Sequence, residues 1–150
     1  MAKMRGGEKV SRLLAEIADR VSKPRGLRVG FLENATYPDG KPVAMIAAIQ
    51  EFGAPRAGIP PRPFFRNMIA KKSAEWPKAV GDLLVQNDYD VEKVLDQAGF
   101  AIAGQLRQSI QETNSPPLAE STIARKGFSK PLIDTGHMLN SIDHEVVEKP

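Results

Sequence analysis

The sequence predicts an α+β fold, with a small antiparallel sheet and several flanking helices in a single domain. Most of the chain carries apolar residues at spacings of three and four, which is typical of amphipathic helices. Two short stretches, residues 27–33 and 141–147, instead alternate with the period of two that strands show. A length of 150 residues, with 41% apolar and 26% charged residues, suits one soluble domain with one core. We therefore expect residues 1–150 to fold as a single domain.

An amphipathic helix is predicted over residues 8–23, near the N-terminus. One face collects its apolar residues, which are Val10, Leu13, Leu14, Ile17, Ala18 and Val21. Two glycines precede the helix, and Pro24 stops it. Such a face either packs on the core or docks on a partner, and its regular periodicity favours the core.

A strand, residues 27–33, is predicted to follow this helix and to lead into a segment rich in turn-forming residues. That segment, residues 34–42, reads NATYPDGKP. Pro38 presets φ at one position of a turn, and Gly40 supplies a positive φ. The segment forms either a hairpin or an exposed loop.

A proline-rich loop between two helices is the most unusual part of the chain. Residues 43–52 predict a short helix, and Gly53 follows where a helix end favours a positive φ. The loop itself, residues 54–63, cannot be a central strand because its prolines lack N–H groups. The next helix is predicted to begin at Phe64 or Phe65.

Aromatic residues flank this loop on both sides. We expect Phe52 and Phe64 to anchor its two ends in the core, and Arg62 to face a partner or a carboxylate. The ends of the loop would then constrain the fold, and its middle would be a contact surface. The predicted interface residues are Glu51, Phe52, Gly53, Pro61, Arg62, Pro63 and Phe64.

Longer helices occupy the centre of the chain. Pro77 predicts a kink in the helix that follows the loop, or two helices in sequence. Residues 91–112 carry the most continuous apolar stripe, and Asp90 is placed to cap that helix. The small residues Gly99 and Gly104 would allow close approach of a neighbouring element.

Shorter elements are predicted towards the C-terminus. Residues 118–126 predict a short helix that Gly127 closes, and residues 137–140 predict one further helical turn. Residues 141–147 predict a final strand, which its charges place at an edge or in an exposed position.

Composition excludes several classes of protein. Cysteine is absent, which rules out a disulfide framework and thiolate chemistry. No apolar run reaches the ~18 residues of a membrane helix, and the start MAKMRGGEKV is not followed by a hydrophobic stretch. We therefore expect neither membrane insertion nor secretion. A net charge of +3 and a pI of about 9.3 are mildly basic, below the cationic density of dedicated nucleic-acid binders.

The sharpest enzymatic signal is the run Asp134, Thr135 and Gly136 after two apolar residues. Aspartic proteases place a catalytic Asp in such a loop. The short stretch after Gly136 cannot supply the barrel that shapes a protease site. We therefore interpret the three residues as a structural motif in which Asp134 caps a helical turn.

Other catalytic chemistry lacks support in the sequence. His137 and His144 have no cysteine and no helical histidine partner, so they predict no metal site. The chain has no Gly-x-Ser-x-Gly elbow and no phosphate-binding Gly-x-x-x-x-Gly-Lys loop. We expect a protein that is not an enzyme, with no cofactor, no metal and no small-molecule substrate.

A small DNA-binding regulator is the alternative that the basic pI keeps open. Residues 106–127 could form a helix-turn-helix-like segment, with residues 121–126 as its recognition helix. A Pro-Pro pair makes an awkward turn there, and Arg125 and Lys126 alone could contact phosphate. The sequence therefore favours no specific nucleic-acid ligand.

Four segments carry recognisable motifs in a fixed order: IAAIQEFG, IPPRPFFRNMI, PPLAESTIARKG and PLIDTGHMLNSI. An apolar helix that ends in Glu-Phe-Gly, followed by a loop with a Pro-x-Arg-Pro-Phe core, resembles the tail-completion and neck proteins of long-tailed bacteriophages. The matching residues are Glu51, Phe52, Gly53, Pro60, Arg62, Pro63 and Phe64, with Pro116, Pro117, Leu118, Thr122, Lys126, Pro131, Leu132, Asp134, Thr135, Gly136, Leu139, Ser141 and Ile142 downstream. The resemblance covers roughly residues 43–142. It departs from the family pattern at Gln50, Ala54 and Ala119.

The resemblance implies a structural virion protein without catalysis that assembles as a ring. Its expected partners are further copies of itself, in a ring such as a hexamer, and the head–tail connector and tail-tube proteins. The expected location is the head–tail junction or the tail terminus of the virion, after synthesis in the bacterial host cytoplasm. The resemblance leaves open the ring order and the choice between head–tail joining and tail completion.

Overall fold

A computed structural model describes residues 6–32, 34–113 and 136–148 of the chain. The elements in chain order are α1 (Gly7–Ser22), β1 (Gly26–Phe31), α2 (Val43–Phe52), α3 (Phe64–Lys72), α4 (Trp76–Gln86), α5 (Val91–Glu112), α6 (His137–Asn140) and β2 (Ile142–Val147). Two 3₁₀ turns, Pro55–Ala57 and Ser73–Glu75, precede α3 and α4 respectively. The predicted α+β class is confirmed, and both strands form where the sequence alternates.

The sheet consists of β1 and β2 paired antiparallel. Its register places Gly26 opposite Val147 at one end and Phe31 opposite Ile142 at the other. The two strands are distant in sequence, and helices α2 to α6 lie between them in the chain. Their pairing therefore joins the N-terminal and C-terminal parts of the described chain.

Helix α5 packs against this sheet and against α3. A Cβ at Gly99 would clash with the His144 ring and lie 2.7 Å from Leu27 Cδ1. The predicted close approach is therefore confirmed at Gly99. It is wrong at Gly104, where a Cβ would meet nothing within 4 Å.

The hydrophobic core lies between the helices and the Phe31 end of the sheet. Its most buried members come from α2, α3, α5, α6 and β2, and include Val43, Phe64, Met68, Leu106, Ile110, Met138 and Ile142. Burial of each large side chain contributes roughly 1.5–3 kcal/mol. The proline-rich loop therefore lies between two helices that are both fixed by the core.

Local signals set several element boundaries. The Asp90 carboxylate accepts a hydrogen bond of 3.3 Å from the Lys93 N–H, which confirms the predicted cap of α5. Pro77 is the second residue of α4, so the chain forms two helices in sequence. In the loop between β1 and α2, the Tyr37 N–H donates a hydrogen bond of 2.9 Å to the Lys41 carbonyl across a tight turn.

Helix α1 forms where it was predicted, but the expected packing on the core is wrong. None of its residues is buried, and Val10, Leu13 and Leu14 are each more than half exposed. Arg20 attaches its C-terminal end to the α4–α5 connection by an ion pair of 2.9 Å to Asp88. No described helix is both long enough and apolar enough to cross a membrane.

Several sequence predictions lie outside the described residues. These are the helix over residues 118–126, its end at Gly127, and the cap by Asp134 with Thr135. The described part of the helix-turn-helix-like segment, residues 106–113, is the end of α5, where Leu106 and Ile110 are buried in the core. Gly136 is described and directly precedes α6 with a φ of 74°.

Candidate functional site

The buried carboxylate of Glu51, on the last turn of α2, organises the start of α3. Glu51 Oε2 accepts a hydrogen bond of 2.9 Å from the Phe65 N–H, and Oε1 accepts one of 3.1 Å from the Arg66 N–H. Oε1 also accepts a charged bond of 2.8 Å from Arg66 Nε. Both carboxylate oxygens are thus engaged, which satisfies a charge that would be costly to bury alone.

This arrangement replaces the cap that α3 lacks in its own sequence. Pro63 is the N-cap residue, and its side chain cannot accept a hydrogen bond. The Glu51 carboxylate supplies the acceptor from the neighbouring helix, and its negative charge lies at the positive end of the α3 dipole. The long-range pair fixes the angle between α2 and α3.

Gly53 reverses the chain directly after α2. Its φ is 75°, as predicted, and an added Cβ would lie 2.8 Å from both the Ile59 carbonyl oxygen and the Pro61 nitrogen. The loop then closes on itself, because Ala54 and Ile59 form an isolated antiparallel bridge. A side chain at position 53 would disrupt both features.

Arg62 is buried, so the first of its two predicted environments, a binding partner, is wrong, and the second, a carboxylate, stays a prediction. It is 6% exposed, and its N–H donates to the Gln50 carbonyl at 2.7 Å. Its Nη1 donates to Gln50 Oε1 at 3.4 Å. Desolvation by burial lowers the pKa of the Arg62 guanidinium. The residue joins the end of the loop to α2.

The two aromatic residues that flank the loop have opposite environments. Phe64 is 1% exposed and lies in the core, as predicted. Phe52 is 66% exposed, so its predicted role as a core anchor is wrong. The Arg66 guanidinium lies 5.2 Å from the centre of the Phe52 ring, and Arg66 Nη2 donates to the Glu51 carbonyl at 2.9 Å. Phe52 is therefore held in place at the surface.

An apolar groove of about 360 Å³ runs beside Phe52, between α2 and α3. Its walls are formed by Phe31, Ala44, Ala47, Ala48, Glu51, Phe52, Phe64, Phe65, Arg66 and Ile69. The two charged residues in its lining are Glu51, whose oxygens are already bonded, and Arg66 at the rim. The groove therefore suits apolar side chains of a binding partner, with one cation beside them.

The predicted interface residues thus divide into two groups. Glu51, Arg62 and Phe64 are buried and hold the helices and the loop together. Phe52 and Pro61 are exposed, whereas Gly53 and Pro63 are partly covered. The motif as a whole positions the groove, and one of its residues, Phe52, forms part of the exposed wall.

Sequence reasoning missed the other residues of the groove, above all Ala44, Ala48 and Ile69. A signal for them exists in α2, because positions 44, 48 and 52 recur at intervals of four beside the buried positions 43, 47 and 51. A short helix that is apolar on two adjacent faces has more apolar surface than one core contact can cover.

Both histidines contact residues that are distant in the sequence. His137 Nε2 lies 2.6 Å from the Thr36 carbonyl oxygen, and its ring packs on Tyr37. His144 Nε2 lies 2.8 Å from Asp96 Oδ1. Within the part of the chain that the structure describes, no group of three or more His, Cys, Asp or Glu residues could hold a metal ion.

Comparison with protein-family models, with curated proteins and with solved structures found no match to this chain. The interpretation of the groove therefore rests on its geometry and on the motif residues that form it.

Proposed function

We propose that this protein is a structural subunit of a bacteriophage particle that completes the tail or joins it to the head by assembling into a ring. It acts by binding other proteins and not by catalysis. The proposed partners are further copies of the chain, the head–tail connector and the tail-tube protein. Its proposed location is the head–tail junction or the tail terminus.

The observation that carries the proposal is the apolar groove beside Phe52. The two segments with the Glu-Phe-Gly and Pro-x-Arg-Pro-Phe motifs fold into one unit through Glu51, and that unit exposes an aromatic wall. An exposed apolar surface with a polar rim is typical of a protein–protein binding site. A rigid loop and a tertiary helix cap are suited to holding such a surface in one shape, which lowers the entropic cost of binding.

A prophage with this gene deleted tests the proposal. We expect the induced lysogen to release incomplete tails or unjoined heads and tails, and expression of the protein to restore complete particles. The protein should also be found in purified virions, where immunogold labelling should place it at the neck or the tail end. Normal particle yield from the deletion strain, with no protein in wild-type virions, would contradict the proposal.

Binding to duplex DNA separates this function from that of a DNA-binding regulator. A ring subunit of the tail should give no mobility shift of duplex DNA at physiological ionic strength. A regulator should give a shift that weakens steeply as salt rises, because phosphate contacts release counterions.

A further inference from the structure

Two apolar surfaces are exposed among the described residues, and they lie on different elements. The first is the face of α1 formed by the exposed residues Val10, Leu13, Leu14 and Val21 and the partly covered Ile17, of which Leu14 is 60% exposed. The second is the apolar groove between α2 and α3. Each is larger than the isolated exposed apolar side chains that are normal on a protein surface.

The C-terminal end of α1 and the groove adjoin opposite ends of β1. Helix α1 leads into the start of β1 at Gly26, and Arg20 is bonded there to Asp88. The groove includes Phe31, the last residue of β1. Six residues of strand separate these ends by about 17 Å. The Arg20–Asp88 contact holds the C-terminal end of α1 near the start of β1.

We infer that α1 of one copy binds in the apolar groove of a second copy of this chain. One contact of this kind covers both exposed surfaces, whereas pairing of α1 with α1 would leave every groove exposed. Since the two surfaces differ, the contact is head-to-tail, and it forms a ring where the rotation between neighbours is a whole fraction of a full turn. The inference rests on the proposed ring assembly and names the two surfaces that would form it.

The shapes of the two surfaces fit this contact. The groove lies between α2 (10 residues) and α3 (9 residues), so it is about 15 Å long and would receive part of the 16-residue α1, as in other helix-in-groove complexes. At about 100° per residue, one flank of the apolar face holds small residues, namely Gly7, Ser11, Ala18 and Ser22. Small side chains on that flank allow the helix to approach the groove closely.

One charge beside the α1 face, that of Glu16, is opposite in sign to the Arg66 charge at the rim of the groove. The other flank of the α1 face carries Lys9, Glu16 and Arg20. Lys9 lies in the first turns of the helix, and Arg20 is bonded to Asp88, so Glu16 is the charge at the centre of the flank. The rim of the groove presents Arg66, whose side chain is 56% exposed. Glu16 opposite Arg66 would set the register of the helix in the groove.

The area of the contact explains why a closed ring is favoured over a dimer. A footprint of roughly 15 Å by 10 Å buries about 300 Å² over the two surfaces, below the ~1,200 Å² of a small specific interface. A single contact is therefore weak. In a ring every subunit makes two such contacts, and the last one closes within a single assembly, which raises the overall stability.

Crosslinking of single-cysteine variants tests the inference, because the natural chain has no cysteine. Leu14→Cys places a thiol on the α1 face, Ala48→Cys places one in the groove, and Ala15→Cys is the control one residue outside the face. The variants are mixed in pairs at a concentration where the wild type assembles, treated with a short bismaleimide, and digested for mass spectrometry.

We expect the Leu14→Cys and Ala48→Cys mixture to give a crosslink between positions 14 and 48 of different chains, at least tenfold more than the Ala15→Cys and Ala48→Cys mixture. Leu14→Cys alone should give little 14–14 product. Efficient 14–14 crosslinking, or a 14–48 yield equal to that of the control mixture, would overturn the inference. Rings that form without the 14–48 link would overturn it too and leave the proposed function standing, whereas absence from virions would contradict that function whatever the crosslinks.

Discussion

Helices α1 and α5 have the same kind of sequence pattern, but one is exposed and the other is packed in the core. Both carry a regular apolar stripe, and both form where that stripe predicts a helix. Helix α5 buries its stripe against the sheet and α3, whereas no residue of α1 is buried. Apolar periodicity therefore predicts an amphipathic helix, but it does not predict whether the apolar face packs against other elements of the same chain.

The largest expected effect is the difference in stability between matched leucine truncations on these two helices. Leu106 is 0% exposed in α5, so Leu106→Ala should lower the free energy of unfolding by ~2–5 kcal/mol. Leu14→Ala in α1 should change it by no more than ~0.5 kcal/mol. Urea denaturation followed by circular dichroism measures both, at a protein concentration below assembly. Similar losses for the two variants would mean that α1 is covered in the single chain.

The same contrast explains which parts of the molecule the sequence could predict. Elements that depend on neighbouring residues were predictable: the end of α2 at Gly53, the cap of α5 by Asp90, and the break before Pro77. Their signals are a positive φ, a short-range hydrogen bond and a missing N–H.

The candidate site was predictable in its location and not in the orientation of its residues. The motif from Glu51 to Phe64 lies in the segment that forms part of the groove. Glu51 caps a helix that begins 13 positions later in the chain, and this depends on the angle between α2 and α3. Likewise, Arg62 points inward and Phe52 outward because of how the loop folds back on Gln50. No local pattern encodes such tertiary contacts.

Two glycines in α5, one packed against the sheet and one exposed to open space, should respond in opposite directions to substitution by alanine. Gly99→Ala would push a methyl group into His144 and Leu27, so it should lower the free energy of unfolding by ~1–3 kcal/mol. Gly104→Ala meets open space and should raise it by up to ~1 kcal/mol, since alanine is the better helix former. Thermal unfolding of the two variants measures this opposite response. A stabilising Gly99→Ala would contradict the close packing of α5 on the sheet.

The Glu51 cap should contribute about as much to the free energy of unfolding as the close packing at Gly99. Glu51→Ala removes the acceptor of two backbone N–H groups and of Arg66, so we expect a loss of ~1–3 kcal/mol in the free energy of unfolding. Glu51→Gln keeps an oxygen of similar position and should cost less. Hydrogen exchange of the Phe65 and Arg66 amides provides the local readout. Unchanged protection in Glu51→Ala would mean that α3 does not need this cap.

Charge reversal at Glu16 should have a small effect that is confined to assembly. Glu16→Lys would place like charges near Arg66 and weaken assembly a few-fold at low salt, with less effect as ionic strength rises. Glu8→Lys, on the opposite side of α1, is the matched control. Fluorescence anisotropy over a concentration series gives the midpoint of assembly. Equal midpoints for the two variants would remove Glu16 from the contact.

Sedimentation velocity of surface variants tests the central claim, that the α1 face and the apolar groove are exposed in one chain because they cover each other between chains. We expect the wild type, Ala15→Glu and Ala70→Glu to sediment as rings at high concentration. Leu14→Glu and Ala48→Glu should sediment as monomers with unchanged unfolding midpoints. Rings from either of these two variants, or a wild type that stays monomeric at every concentration, would contradict the claim.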